Sequence, residues 1–282
     1  MTPYLFILPT AILVLSVAIY PMLYALRISF YRSELLAIGR FVGLGNYRAL
    51  FQDPTTAWNF AASGIFVLGS VALSLGLGLL LAILLNERLM FRALFRAWIL
   101  IPWVVSQVVA ALVWRWLVNA DYGPVAVALL DLGLPRIDLL GDRHLAMFTL
   151  ILANTWRSVA FPMVLFLAAL QGIPENLYRA ARVDGISRWL TFRCVTLPLI
   201  KPVVLVAAII LTLSYFNIIA LPLVLTGGGP LQATELVSLR LYREAFAYYH
   251  VGLASAIAIL MFLANMALTL FYLRFMRARG RA

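Results

Sequence analysis

Residues 58–85 read WNFAASGIFVLGSVALSLGLGLLLAILL, twenty-eight positions without a charged side chain. At about 1.5 Å per residue, a helix of that length exceeds the roughly 30 Å hydrocarbon core of a bilayer. A soluble amphipathic helix would break the run with polar residues every three or four positions. Working outward, similar stretches at 5–26, 97–117, 145–170, 202–226 and 251–273 complete a set of six expected spans. Arg157 is the one charge inside 145–170, and Arg115 sits near the end of 97–117. The prediction is an all-α polytopic membrane protein of about six transmembrane helices, with 1–282 as one transmembrane domain. Gly64, Gly69, Gly76, Gly78, Pro102, Pro162 and Pro222 fall within the runs, where membrane helices tolerate them better than soluble ones. The 5–26 run follows no positive segment and meets no small-residue cleavage site before Arg27, so it reads as a retained span.

Composition agrees. Hydrophobic residues make up 64% of the chain and charged ones 12%, too few charges for a soluble protein of this size to cover its surface. The net charge of +11 would suggest nucleic acid in a soluble chain, but these basic residues punctuate apolar runs and form no single basic face. Cys194 is the lone cysteine, and His144 and His250 are the histidines. An intrachain disulfide is impossible and a zinc site is not expected. Short segments between the runs leave no room for a nucleotide-binding domain, and no GxxxxGK[ST] loop occurs.

Charge asymmetry sets the expected orientation. Segments 86–96, 171–201 and the tail from 274 hold twelve basic and three acidic residues, whereas 27–57, 117–144 and 227–250 hold eight of each. Basic loops stay inside, so both termini are expected in the cytoplasm.

The largest inside segment, 171–202, reads QGIPENLYRAARVDGISRWLTFRCVTLPLIKP. It is expected to form a helix–turn–helix outside the bilayer. Pro174 suits the first turn of a helix and Glu175 its positive end. Asn176, Arg179 and Arg182 share a polar stripe, opposite Leu177, Tyr178 and Ala181. Asp184-Gly185 should end the helix, because glycine readily takes the left-handed cap conformation.

This segment resembles the EAA loop of permeases in binding-protein-dependent ABC importers. Ala180-Ala181, Asp184-Gly185, Val195, Leu197-Pro198 and Pro202 match the family spacing, while Arg179 stands where the pattern has Glu. Further stretches resemble the sugar and glycerol-3-phosphate (maltose-type) branch: 41–47, 169–174, 225–230, Thr234, Tyr242, Phe246 and Gly252 with Ala254-Ser255-Ala256. The resemblance implies a type I importer permease that moves a sugar, oligosaccharide or polyol phosphate across the cytoplasmic membrane of a prokaryote. It implies a second, similar permease, two ATP-binding-cassette ATPase subunits and an extracytoplasmic solute-binding protein as partners. ATP and Mg belong on the ATPase, with no cofactor, catalytic residue or metal ligand on this chain. The expected coupling residues are Glu175, Leu177, Tyr178, Arg179, Ala180, Ala181, Asp184 and Gly185. Docking is expected through apolar fit at Leu177, Tyr178 and Ala181 more than through an ion pair of Arg179.

Within the spans, Asn154, Arg157, Ser214, Tyr215 and Asn217 are the candidate substrate pathway. A charge at midspan costs roughly 2.5–3.5 kcal/mol, so Arg157 should face the bundle interior, either lining a path with Asn154 and Ser158 or holding the fold. Ser214, Tyr215 and Asn217 offer hydrogen bonds and an aromatic face to a sugar, or else join helices. Arg115, between Trp114 and Trp116, should snorkel to the interface. Gly227–Gly229 reads as a turn, Cys194 as a small apolar residue, and Arg277 and Arg279 as contacts to anionic lipid. An ion-driven secondary transporter is one alternative, although it would need intramembrane carboxylates; a membrane enzyme or scaffold is another. Nucleic acid is not an expected partner.

Overall fold

The computed structural model describes residues 8–10, 12–34, 37–87 and 90–279. The first residues of the 5–26 span and the side chains of Arg277 and Arg279 lie outside the described set. Helix α1 spans Leu8–Ile28 with a π-turn at Leu15–Ile19. Strands β1 (Tyr31–Glu34) and β2 (Ala37–Phe41) pair antiparallel. Then come α2 (Gly45–Gln52), α3 (Pro54–Asn86), α4 (Arg92–Val104), α5 (Gln107–Leu117), α6 (Pro124–Asp131), α7 (Arg143–Ser158) and α8 (Ala160–Gln171). Helix α9 is Glu175–Val183, α10 Arg188–Phe216 with a π-turn at Phe192–Thr196, and α11 Ala220–Leu225. Helix α12 (Val237–Tyr242) leads through the π-turn Arg243–Ala247 to α13, Val251–Arg279.

Four of these helices, α1, α3, α10 and α13, are long and apolar enough to cross a membrane unbroken, or six spans result if each bent pair counts as one. The expected span 97–117 is not one rod. Helices α4 and α5 meet at 100°. Pro102 lies in the last turn of α4, Val105 is extended, and Ser106 caps α5, its Oγ accepting from Val109 N–H at 3.3 Å. A proline removes one backbone donor and its ring pushes against the carbonyl four residues back. The expected span 145–170 is likewise bent, by 47°, between α7 and α8; Pro162 removes the donor that would serve the Ser158 carbonyl. Asp142 starts α7 by accepting from His144 and Leu145 N–H groups at 2.8 and 2.9 Å, and these bonds hold its carboxyl below the usual carboxylate range.

The expected span 202–226 is also displaced. The helix begins at Arg188, where the Ser187 hydroxyl accepts from Leu190 N–H. It ends at Phe216, with the Asn217 amide donating to the Leu213 carbonyl at 2.7 Å. The second helix of the expected helix–turn–helix is therefore the start of the fifth span. Cys194, read as a small apolar residue, is exposed on it.

The chain divides into two compact units, one of residues 1–61 and 236–267, the other of 62–235 and 268–282. In the first, the Asn46 amide donates to the carbonyls of Ser29 (2.8 Å) and Tyr31 (3.0 Å). Gly252 N–H donates to the Ser33 hydroxyl, and a β-carbon there would overlap the Tyr31 carbonyl oxygen. These contacts account for Asn46 in the 41–47 motif and Gly252 in the other. In the second unit, Ala82 and Leu85 of α3 pack with Met163, Phe166 and Leu170 of α8 and with Ile200 and Ala207 of α10. Close approach depends on glycine: a β-carbon on Gly78 would sit 2.9 Å from Pro162 Cγ and 3.1 Å from Met163 N. Gly78→Leu is expected to destabilise this unit by about 1–3 kcal/mol, read as a lower melting temperature in detergent. An unchanged value would show that the helices separate freely there.

Candidate functional site

Helix α9 follows Pro174, which is its N-cap and not its first residue; the Pro174 carbonyl accepts from Leu177 N–H. Glu175 at the first position pairs with Arg179 one turn on at 2.9 Å, both side chains about 70% exposed, an arrangement that contributes only a few tenths of a kcal/mol. At the other end, Ile186 N–H donates to the Ala181 carbonyl (3.0 Å) and Gly185 N–H to the Arg182 carbonyl (3.2 Å). Gly185 has φ +68 with open space around it. This pair of bonds is a Schellman cap, and it requires a left-handed residue. The helix thus ends where the sequence places its end.

Its faces differ from expectation. Ala181 is buried, and Tyr178 is half-buried with its hydroxyl 3.1 Å from Thr196 Oγ1. Tyr178 thus bonds within the chain, to α10, and Ala181 is covered by the chain itself. Leu177 and Ala180 are exposed, and Val183 is 88% exposed. The apolar surface free for another molecule is Leu177, Ala180 and Val183. Val183 carried no motif signal; only its lack of a partner distinguishes it. Asp184, the C-cap, is exposed as well.

The pathway candidates separate into two groups. Tyr215 is buried, its ring tilted against Phe66. Its hydroxyl lies 2.5 Å from Ser158 Oγ and 2.9 Å from Ser74 Oγ. Because Ser158 donates to the Asn154 carbonyl, Tyr215 donates to Ser158 and accepts from Ser74. This chain of hydroxyls ties α3, α7 and α10 together. Asn154 lies beside it, fully buried, with neither its amide oxygen nor its amide nitrogen hydrogen-bonded. Ser70 Oγ, Thr155 Oγ1 and Arg157 Nε are also buried and unpartnered. Ser214 and Asn217 are exposed, away from this cluster. Sequence reading missed Ser70, Ser74 and Thr155, since isolated hydroxyls in an apolar run are ordinary.

Arg115, exposed, reaches the Val224 carbonyl at 3.5 Å, a contact from α5 to α11 compatible with the expected snorkelling. Gly227 and Gly228 form the expected turn with positive φ, and Thr234 Oγ1 lies 2.7 Å from both Thr226 Oγ1 and the Gly229 carbonyl.

The first unit contains an ion network that no motif marked. Arg240 Nη2 is 2.5 Å from Asp53 Oδ2, and Nη1 donates to Thr56 (3.0 Å) and Asn59 (3.1 Å). Its Nε faces Glu244 at 3.8 Å, and Glu244 meets His250 Nδ1 at 2.9 Å. Burial raises the Asp53 carboxyl, but the bonds from Arg240 and Thr55 outweigh it and leave Asp53 below its ordinary value.

Residues 74–280 match the family described as binding-protein-dependent transport system inner membrane component. The trehalose/maltose transport system permease protein MalF of Thermococcus litoralis is 38% identical over 280 residues, covering 98% of this chain and 94% of that protein. The sn-glycerol-3-phosphate transport system permease protein UgpA of Agrobacterium fabrum is 29% identical over 279 residues, covering 98% and 95%. A chain of the bacterial alginate ABC transporter, solved with an alginate pentasaccharide-bound periplasmic protein, superposes with a TM-score of 0.82 at 24% identity, over 95% of this chain and 91% of that one. The fold is therefore that of ABC importer permeases, and the ion-driven and scaffold alternatives find no support. With EAA-type loop, broken spans and near full-length relatives in agreement, the chain belongs to the binding-protein-dependent inner membrane components, the permease subunits of ABC transporters.

Proposed function

We propose that this permease imports a carbohydrate or polyol phosphate through the polar cluster around Asn154. The carrying observation is a fully buried amide with no hydrogen bond. Such a group costs about 1–3 kcal/mol unless something pairs with it, and a sugar hydroxyl both donates and accepts. The names of the relatives support the substrate class. The chain works with a second similar permease, two ATPase subunits that bind ATP and Mg, and an extracytoplasmic solute-binding protein. It hydrolyses nothing itself. ATPase closure reaches α9, and alternating access follows as the permease pair rocks open. The exposure of α1, where 6% of the apolar stretch is buried, supports a neighbouring permease against it. The protein resides in a prokaryotic inner membrane with both termini cytoplasmic.

Transport by the reconstituted complex tests the reading. Asn154→Ala should leave assembly and basal ATPase intact, because no bond within the chain is lost, and reduce uptake about 2- to 12-fold, the loss of one neutral hydrogen bond. Wild-type uptake across sugar concentrations would remove Asn154 from the pathway. Orientation is tested on a Cys194→Ala background, since the native thiol is exposed. Leu231→Cys, at a position 91% exposed, should react with an impermeant reagent added outside, and Arg274→Cys should not. The reverse pattern would invert the topology. Leu50 suits no such probe, being buried.

A further inference from the structure

Helix α4 opens with two guanidinium groups four residues apart, Arg92 and Arg96, which places them on one face. Neither is in an ion pair among the described residues, and Arg96 Nε and Nη2 are buried without a hydrogen-bond partner. The helix start adds to the positive charge. Its N-cap, Phe91, is left-handed and supplies no side-chain acceptor, so the first N–H groups point outward with the positive end of the dipole. Two like charges at that end repel each other and the dipole, and an anion relieves both.

The surface that continues from Arg96 is of the opposite kind. An apolar groove of about 460 Å³ follows the same helix, lined by Ala97, Leu100, Ile101, Val104 and Val105. From Arg96 to Val104 the helix rises roughly 12 Å, close to the roughly 15 Å of one leaflet's hydrocarbon. Trp98, 66% exposed, lies at the polar end, where indole rings settle at the headgroup level. Two arginines in the helix turns that precede an apolar groove match a charged lipid, cations at the headgroup end and apolar surface along the chain. A soluble anion would leave the groove uncovered.

We propose that Arg92, Arg96 and the groove along 97–105 form a binding site for an anionic phospholipid, the guanidinium groups holding the phosphate and the groove an acyl chain. With Nε and Nη2 of Arg96 buried, the phosphate would meet the Arg92 guanidinium and Nη1 of Arg96, charge-assisted donors to its oxygens. The site depends on membrane insertion alone and not on the transported substrate, so its failure and that of the sugar reading are separable.

The test is native mass spectrometry of the assembled transporter, purified in mild detergent and supplied with phosphatidylglycerol, phosphatidylcholine or inorganic phosphate. The wild type should retain phosphatidylglycerol in preference to phosphatidylcholine. In R92Q/R96Q that preference should fall about thirtyfold, which corresponds to about 1 kcal/mol for each basic residue near a lipid surface. Leu100→Trp, which fills the groove and leaves both charges, should weaken retention of both lipids. Equal retention of the two lipids by the wild type overturns the proposal whether or not R92Q/R96Q assembles. Displacement of the lipid by inorganic phosphate alone would reassign the site to a soluble anion. Loss of a partner chain from Leu100→Trp, with lipid retention unchanged, would make the groove a protein interface.

Discussion

Arg240→Met should lower the thermal stability of the purified permease by roughly 4–12 °C. The guanidinium spans Asp53 at 2.5 Å, Thr56, Asn59 and Glu244, and methionine leaves two carboxylates facing each other's surroundings without it. Removing one partner of a fully buried pair costs about 3–5 kcal/mol. Asp53 is 32% exposed and water screens part of the loss, which brings the figure to about 2–3 kcal/mol, and each kcal/mol is worth about 2–4 °C in a protein of this size. The sign with pH follows from Asp53, whose folded value is depressed. Its contribution is complete above the ordinary carboxylate value of about 3.9 and disappears as pH falls through the lower folded value. Wild type and Arg240→Met should therefore converge in acid, and a stability gap that persists there would place the effect in packing and not in charge.

Gly185→Val should abolish most transport while the permease still inserts and folds. The Schellman cap needs φ near +68 at this position, and a β-branched residue there costs about 1–2 kcal/mol even in open space. The strain falls on the junction between α9 and α10, so α9 either frays or re-aims away from its proposed ATPase contact. Three contrasts separate the causes. Val183→Asp, on the exposed apolar face, should weaken ATPase co-purification. Arg179→Ala should be nearly silent, because its partner Glu175 lies on the same helix and both are exposed. Ala181→Trp should harm the permease itself, because Ala181 is buried in its own chain. Full transport and ATPase retention by both Gly185→Val and Val183→Asp would end the assignment of α9 as the coupling helix.

Helix α9 was legible in its ends and not in its faces. Glu175, the two alanines and Asp184-Gly185 are local signals, and the helix starts and stops where they stand. Which residues face the protein depends on α10: Tyr178, whose hydroxyl meets Thr196, turns inward with Ala181, while Leu177 of the same stripe stays exposed. The pathway candidates divide for a similar reason. Asn154 and Tyr215 converge in one buried cluster, whereas Ser214 and Asn217, one position away from Tyr215 or two, emerge on other sides of the same helix. Depth along a span can be counted from sequence, but direction around it depends on neighbours.

The sequence by itself determined the membrane setting, the helical class and the position of the α9 cap, because each rests on transfer energy or on the backbone preference of one or two residues. Tertiary structure decided where the spans break and which polar groups meet. Pro102 and Pro162 were visible, yet a proline removes one donor whether a helix bends by 47° or folds back by 100°. The angle is chosen by what each half packs against, as Pro162 packs at Gly78. Asp53 and Arg240, 187 positions apart, share no local pattern, and a charge pair at that separation exists only once the fold has brought the α2–α3 junction to α12.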